Sequence, residues 1–417
     1  MSAVEGWWPP VSTDPVESRT DHPALPYPFG DPEALVLDPI YARLLREDPM
    51  PRVHLPFGDD AWLLTRYDDV QAGLTDPRFS RAATLTHDVP RLYPHRVDAG
   101  ILDLDPPEHS RLRRLVARAF TARRVESLRP RAQLAADEMI DGMLAAGPPI
   151  DLVEHFAVPI PGVMICELLG VPFADRENFY GWGNAFMSTT ALTAEEREAA
   201  LAGLGAYLAG LVGQRRREPA DDLLSALVAA RDEHDSLSEA EVIGLAITLF
   251  AAGFESTASQ IANFTYTLLT NPDQLRLLRE RPDLIPGAVE ELLRYLPLSA
   301  NEAALPRYAT EDVELSAGTV RAHEPVLLGM YAANRDPDVY EDPDRLDVSR
   351  TLSRPHLAFG HGVHHCIGAP LARMDLQVAM STLIGRLPGL KLAVAPDQVA
   401  WKSGLAVRGP VALPIAW

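Results

Sequence analysis

The sequence predicts a mainly α-helical fold with small β-sheets, an α+β arrangement in which residues 1–417 form one domain. Three observations predict it. From about residue 108 to 296 the chain is rich in Ala, Leu, Arg and Glu, with apolar residues spaced three and four apart and Pro or Gly breaks between segments. Short strand-like pieces stand before and after that block. A glycine-rich loop ending at Cys366 then feeds one more helix.

The first 28 residues, rich in proline and polar side chains, read as a loosely ordered arm on the body of the protein. They lack the basic and apolar regions of a signal peptide. Arg52–Phe57 and Ala61–Thr65 follow as two strands joined by Gly58-Asp59-Asp60, a hairpin signal. Ser238 and Glu241 form a capping box that opens a long helix, expected to run to about Leu269 before Asn271-Pro272 stops it. At about 1.5 Å per residue that helix spans roughly 45 Å. Its apolar run Val242–Phe254 has 13 residues, against about 20 for a bilayer, so it reads as buried. Strand-like pieces recur at Val313–Leu315, Val320–Ala322 and Val326–Leu328. An irregular stretch from 334 to 355 precedes the cysteine loop. After the helix from about Ala369 to Leu387 come β-like pieces at Leu390–Val394, Leu405–Val407 and Ala412–Ala416.

Composition narrows the function. With 58 acidic and 38 basic side chains the formal charge is −20, which disfavours nucleic acid and anionic membranes as nonspecific partners. Two cysteines, Cys166 and Cys366, cannot build a disulfide framework or a zinc ribbon. A reducing, cytoplasmic location is the expectation. Cys166, within Val163-Met-Ile-Cys-Glu-Leu-Leu169, reads as structural.

Cys366 does not. It lies in Phe359-Gly-His-Gly-Val-His-His-Cys-Ile-Gly368, whose glycines permit tight turning and close backbone approach to a planar group. The helix that follows, with Pro370 in its first turn, presents N–H groups and a positive end that favour a thiolate. A thiolate is what an axial iron ligand must be. Zinc bound by His361, His364, His365 and Cys366 is a poor rival, because zinc ligands are normally separated by two or more residues.

The loop resembles the heme-binding segment of the cytochrome P450 monooxygenases, and four further segments agree in the family's order. Glu291-Leu-Leu-Arg294 is similar to the family's Glu-x-x-Arg pair, which the resemblance expects to be buried and joined by an arginine, here Arg345. Ala333-Asn-Arg-Asp-Pro337 matches the lead-in to the irregular stretch. Asp105-Pro-Pro-Glu-His109-Ser-Arg-Leu-Arg113 places His109 and Arg113 on one helix face. The resemblance assigns both to a heme propionate, with Arg307 and His364, and His356 as an addition. Phe359 and Gly360 are implied to flank the heme on the cysteine side. Ala252 and Gly253 are implied to make room for dioxygen above it.

The fourth segment is Ala252-Gly-Phe-Glu-Ser-Thr257, where the long helix is expected to loosen at Gly253. The resemblance makes Glu255 and Ser256 an acid–alcohol pair that delivers protons for O–O cleavage. The family usually has threonine where Ser256 stands, and serine lacks the methyl that restrains the rotamer. Without other motifs, these polar residues would read as a helix side turned to solvent.

The resemblance thus implies a helical body around a buried heme b. It implies insertion of one oxygen atom from O2, as hydroxylation or epoxidation, into a mostly apolar small molecule, a secondary metabolite. Oxidative coupling, ring closure or peroxide-driven oxidation are alternatives. A non-catalytic relative is disfavoured by the intact cysteine loop. No flavin or nicotinamide fingerprint is present, so NAD(P)H-derived electrons are expected through ferredoxin and ferredoxin reductase. Arg111, Arg113, Arg114, Arg118, Arg123 and Arg124 form a candidate docking patch. The protein is expected to be a monomer. Pocket walls are implied around residues 80–100, Phe186–Thr190, Ala252, Pro297–Asn301 and Leu405.

Overall fold

The computed structural model describes residues 23–30, 34–92, 100–172, 175–188, 191–234 and 237–417. The long helix runs from Glu239 to Thr270 with the Ser238–Glu241 capping box in place and Asn271 at its end. Its 32 residues span about 48 Å. Phe250, Phe254, Ile261, Phe264 and Leu268 bury their side chains along it. The helices Pro159–Leu169, Arg176–Met187, Ala194–Arg217 and Ala369–Arg386 pack around it. Ala369–Arg386 also lies along Ala122–Ala146. Although long and apolar enough to cross a bilayer, the long helix is a core element of this body.

The hairpin forms as expected, with Arg52–His54 antiparallel to Ala61–Leu64. The small sheets are present, and strands from the two ends of the sequence meet. One six-stranded sheet joins them, in the order Leu25–Pro26, Arg52–His54, Ala61–Leu64, Pro325–Leu328, Arg307–Ala309, Phe79–Ser80. Trp62 pairs with Val326 in parallel, and Val326 pairs with Arg307 on its other side. The end of the expected arm is built in: Leu25 and Pro26 pair with Val53 and His54, and Tyr27 is buried. The first 22 residues of that arm lie outside the described residues.

Glu291 and Arg294 form a two-pronged pair at 2.7 and 2.9 Å, both fully buried. Arg294 also donates to the Asn334 and Pro343 carbonyls at 2.8 and 2.9 Å. The third member is Arg350, whose Nε donates to Glu291 Oε1 at 3.1 Å. Arg345, the expected member, instead pairs with Asp347 at the surface. The irregular stretch has no period, so spacing could not choose between two arginines five residues apart. Arg350→Ala is expected to cost about 3 kcal/mol, since it weakens a buried network. Arg345→Ala is expected to stay within about 0.5 kcal/mol. Urea unfolding of both variants checks the difference.

Candidate functional site

The cysteine loop is held by its own backbone. Cys366 N donates to the Phe359 carbonyl at 2.8 Å, and Gly360 N to that of Leu357 at 2.8 Å. Gly362 has φ near 68° and would place a Cβ 2.6 Å from the Leu74 carbonyl, so only glycine fits there. The Gly368 and Ala369 N–H groups point to the Cys366 sulfur, and Arg113 and Arg373 add positive potential. Burial nevertheless pushes the thiol up and outweighs all four. The amides and arginines oppose that rise and favour the thiolate, the form in which a cysteine binds iron. Cys366 still opens onto accessible space although its sulfur sits deep among protein groups, whereas Cys166 is closed off.

Beside this loop, His109, His364, Arg307 and Arg113 come together. The His109 and His364 rings lie 4.3 Å apart. Neither His109 Nδ1 nor His364 Nε2 has a hydrogen-bond partner among the described residues. Burial lowers His364 to about 3, with His109, Arg307 and Arg81 adding to the shift. Arg307 is 4% exposed, donates among the described residues to the Leu305 and Pro306 carbonyls, and is lowered to about 9, first by burial and then by Arg81. His109 is lowered by burial and by Arg113. Buried donors that depress one another need an anion to complete them. Two carboxylates beside the cluster are already engaged. Asp103 pairs with Arg81, and Asp105 accepts from Ser80 Oγ and from Arg81 N and Ala82 N at 2.9 and 3.2 Å. The donor set thus fits a buried group carrying two carboxylates, as the propionates of a heme do.

Arg81, Asp103 and Asp105 are functional neighbours that sequence reasoning missed. Arg81 donates to the Pro306 carbonyl at 2.5 Å and to that of Leu102 at 2.9 Å, which fixes the backbone beside Arg307. The signal was the pairing of Phe79–Ser80 with Tyr308–Ala309, in strands too short to show a period. His356 is corrected: its Nε2 meets Glu290 Oε2 at 3.1 Å, and Arg373 takes both Glu290 oxygens at 2.8 and 3.0 Å. His356, Arg373 and Glu290 form a brace behind Phe359, over which the Arg373 guanidinium sits at 4.6 Å; against its burial, the two hydrogen-bond partners hold the Glu290 carboxyl down to about 2.

On the long helix Glu255, Thr257, Ser259, Gln260 and Asn263 are all buried, so this is no solvent-facing side. Ala252 alone is exposed there, and Ser256 is half-exposed. The α-helix runs on without a break, so the expected loosening at Gly253 is not seen; Ser256 Oγ donates to the Ala252 carbonyl at 2.5 Å. A Cβ on Gly253 would lie 3.4 Å from Ile165 Cδ1, an ordinary contact, so helix packing admits alanine there. Glu255 is paired with Lys402 and accepts from Ser259 Oγ at 3.3 Å. Lys402 was not foreseen, being 147 residues away.

Backbone contacts join three of the implied pocket walls. Ser188 bridges Leu405 and Ser299 bridges Val407. Ala406 N donates to the Met187 carbonyl at 2.8 Å, and Ala300 N to that of Ala406 at 2.9 Å. Thr189, Thr190 and residues 93–99 of the implied walls lie outside the described residues. Of the arginine cluster, Arg111 pairs with Glu241 and Arg124 with Asp221. Arg113 donates to the His365 carbonyl, while Arg114, Arg118 and Arg123 are exposed.

A mainly helical body that presents a cysteine from a glycine-turned loop, beside a carboxylate-accepting cluster, defines a heme-thiolate protein. A family model described as Cytochrome P450 matches residues 184–388. Mycinamicin IV hydroxylase/epoxidase of Micromonospora griseorubida is 54% identical over 391 residues, covering 94% of this chain and 98% of that protein. Nocardicin C N-oxygenase of Nocardia uniformis subsp. tsuyamanensis is 52% identical over 96% of this chain and 100% of that protein. The solved structure of the LnmA cytochrome P450 hydroxylase from the leinamycin pathway of Streptomyces atroolivaceus superposes with a TM-score of 0.90, at 52% identity over 94% of this chain and 100% of that one. The chain belongs to the cytochrome P450 family. It is a monooxygenase that works with heme b, dioxygen and reducing equivalents from redox partners.

Proposed function

We infer that this enzyme hydroxylates or epoxidises a mostly apolar secondary metabolite, as a cytoplasmic monomer supplied with electrons by a ferredoxin and its reductase. The observation that carries the reading is the buried cluster of His109, His364 and Arg307, in which His109 Nδ1 and His364 Nε2 have no hydrogen-bond partner among the described residues, beside an accessible Cys366. In it Cys366 holds the iron, while His109, Arg113, Arg307 and His364 hold the propionates. Phe359 and Gly360 shape the loop on the sulfur side, and Ala252 and Gly253 keep the opposite side small. When bound, the heme supplies reductive activation of dioxygen. Glu255 and Ser256 move protons into the site from the helix. Arg114, Arg118 and Arg123 offer positive charge to an acidic redox protein. The similarity to a mycinamicin IV hydroxylase/epoxidase and a nocardicin C N-oxygenase supports a secondary-metabolite substrate.

A screen for substrate-induced spin-state shifts across macrolides, peptides and terpenes tests the substrate class; a panel without any shift sinks it. A second reading, oxidative coupling, draws on one observation: Glu255 bonds to Lys402 and Ser256 to Ala252, not to one another. With a substrate from that screen, Ser256→Ala is expected to lower product per NAD(P)H at least about tenfold. Unchanged coupling would remove Ser256 as the relay and favour the second reading.

A further inference from the structure

Glu302 stands just past the Pro297–Asn301 turn and is 7% exposed. Its Oε1 accepts the Tyr331 N–H at 2.7 Å. Its backbone N donates to the Tyr27 hydroxyl at 3.1 Å, and Tyr27 and Tyr41 share a hydroxyl contact of 3.1 Å. The Tyr331 hydroxyl in turn accepts from Ser299 N. On the other side of the turn, Arg408 N donates to the Leu298 carbonyl at 2.6 Å. The Arg408 guanidinium spans the Ser299, Ala300 and Val36 carbonyls at 3.1, 3.4 and 3.0 Å. The turn therefore hangs between two supports, the C-terminal segment and a cluster of three tyrosines around one carboxyl. Glu302 Oε2 has no hydrogen bond among the described residues.

We propose that Glu302 is a positioning residue for the substrate wall, setting the Pro297–Asn301 turn through Tyr331 and tying it to Tyr27 and Tyr41. This rests on reading that turn as a pocket wall. The charged and titratable groups facing the carboxyl are Tyr27 and Tyr41 from the N-terminal segment, Tyr331 from the short helix Met330–Ala333, and Arg408 from the C-terminal segment. Arg408 attracts it at a distance, with its N–H groups committed to carbonyls. Burial dominates, raising the carboxyl to about 8 against the pull of the Tyr331 N–H, Tyr41 and Arg408. The folded protein thus keeps a proton that the unfolded chain releases. Support from Glu302 is complete below the ordinary carboxylate range and is lost as pH rises through about 8. Above that, a charge appears in a buried corner whose donors do not offset its desolvation, and the turn loses its fixed shape.

The test titrates the heme-loaded enzyme with 4-phenylimidazole between about pH 7 and about pH 9.5. Hydrogen exchange of the amides of residues 298–301 is followed alongside. Relative to Glu302→Gln, the wild-type dissociation constant is expected to rise about threefold across the range, and exchange at the turn to rise with it. The glutamine variant, an uncharged isostere, holds both flat once probe ionisation is divided out. Tyr41→Phe removes a group that favours ionisation and moves the wild-type midpoint upward. Superimposable wild-type and Glu302→Gln profiles, or an unmoved midpoint in Tyr41→Phe, overturn the proposal. Leu298→Ala and Ala300→Phe are expected to change 4-phenylimidazole affinity. If neither does, the placement of the turn in the pocket fails, and the exchange data still decide Glu302.

Discussion

Cys366→Ser is expected to abolish monooxygenase activity by at least about a thousandfold, equivalent to roughly 4 kcal/mol of lost transition-state stabilisation. The reason is chemical rather than structural. Cys366 N holds the Phe359 carbonyl and Ala369 N the Cys366 carbonyl through the backbone, so serine leaves the loop intact. What serine cannot supply is a thiolate. The Gly368 and Ala369 N–H groups, Arg113 and Arg373 all lean on the sulfur but do not overcome its burial. Cys166→Ser is the control. Cys166 is buried in the helix Pro159–Leu169, so that change costs on the order of 1 kcal/mol of stability and leaves turnover per heme unchanged. Activity surviving in Cys366→Ser, or lost per heme in Cys166→Ser, would reverse the roles given to the two thiols.

Glu291→Ala is expected to be the most damaging change away from the site. It leaves Arg294, 1% exposed, and Arg350 without their carboxylate, and strands the Asp347 N–H that donates to Glu291 at 3.1 Å. Removing one partner of a buried ion pair costs about 3–5 kcal/mol, out of a total stability of roughly 5–15 kcal/mol. Folded, heme-competent protein should fall sharply, and the urea midpoint of what remains should drop. Because Arg294 also anchors the Asn334 and Pro343 carbonyls, the damage reaches the stretch leading to the cysteine loop. An unchanged midpoint would show that this network is dispensable.

Local signals were legible in the sequence, and long-range partners were not. The capping box at Ser238, the helix stop at Asn271 and the glycine pattern around Cys366 each depend on residues within a turn of one another. His109 and Arg113 share a helix face for the same reason. By contrast, Lys402 reaches Glu255, and His356 turns to Glu290, across distances no periodicity encodes. Arg350 and Arg345 lie in a segment without regular structure, so only packing decides which meets Glu291. Leu25–Pro26, Phe79–Ser80, Ile150–Asp151 and Arg307–Ala309 are two or three residues long, below the length at which alternation shows. Hence the joining of both chain ends in one sheet, and the Arg81–Asp103 layer behind Arg307, appear only in the fold.

The central claim is that Cys366 ligates a heme iron whose carboxylates are held by His109, Arg113, Arg307 and His364. The measurement that tests it most directly is the reduced, carbon-monoxide-bound absorption spectrum of the purified protein, taken with the bound heme per chain. The expected result is one heme per chain with the red-shifted Soret band of a thiolate ligand, lost in Cys366→Ser, and heme loosened in Arg307→Ala. A Soret band at the ordinary histidine-ligated position, or heme retention indifferent to Arg307, would contradict it.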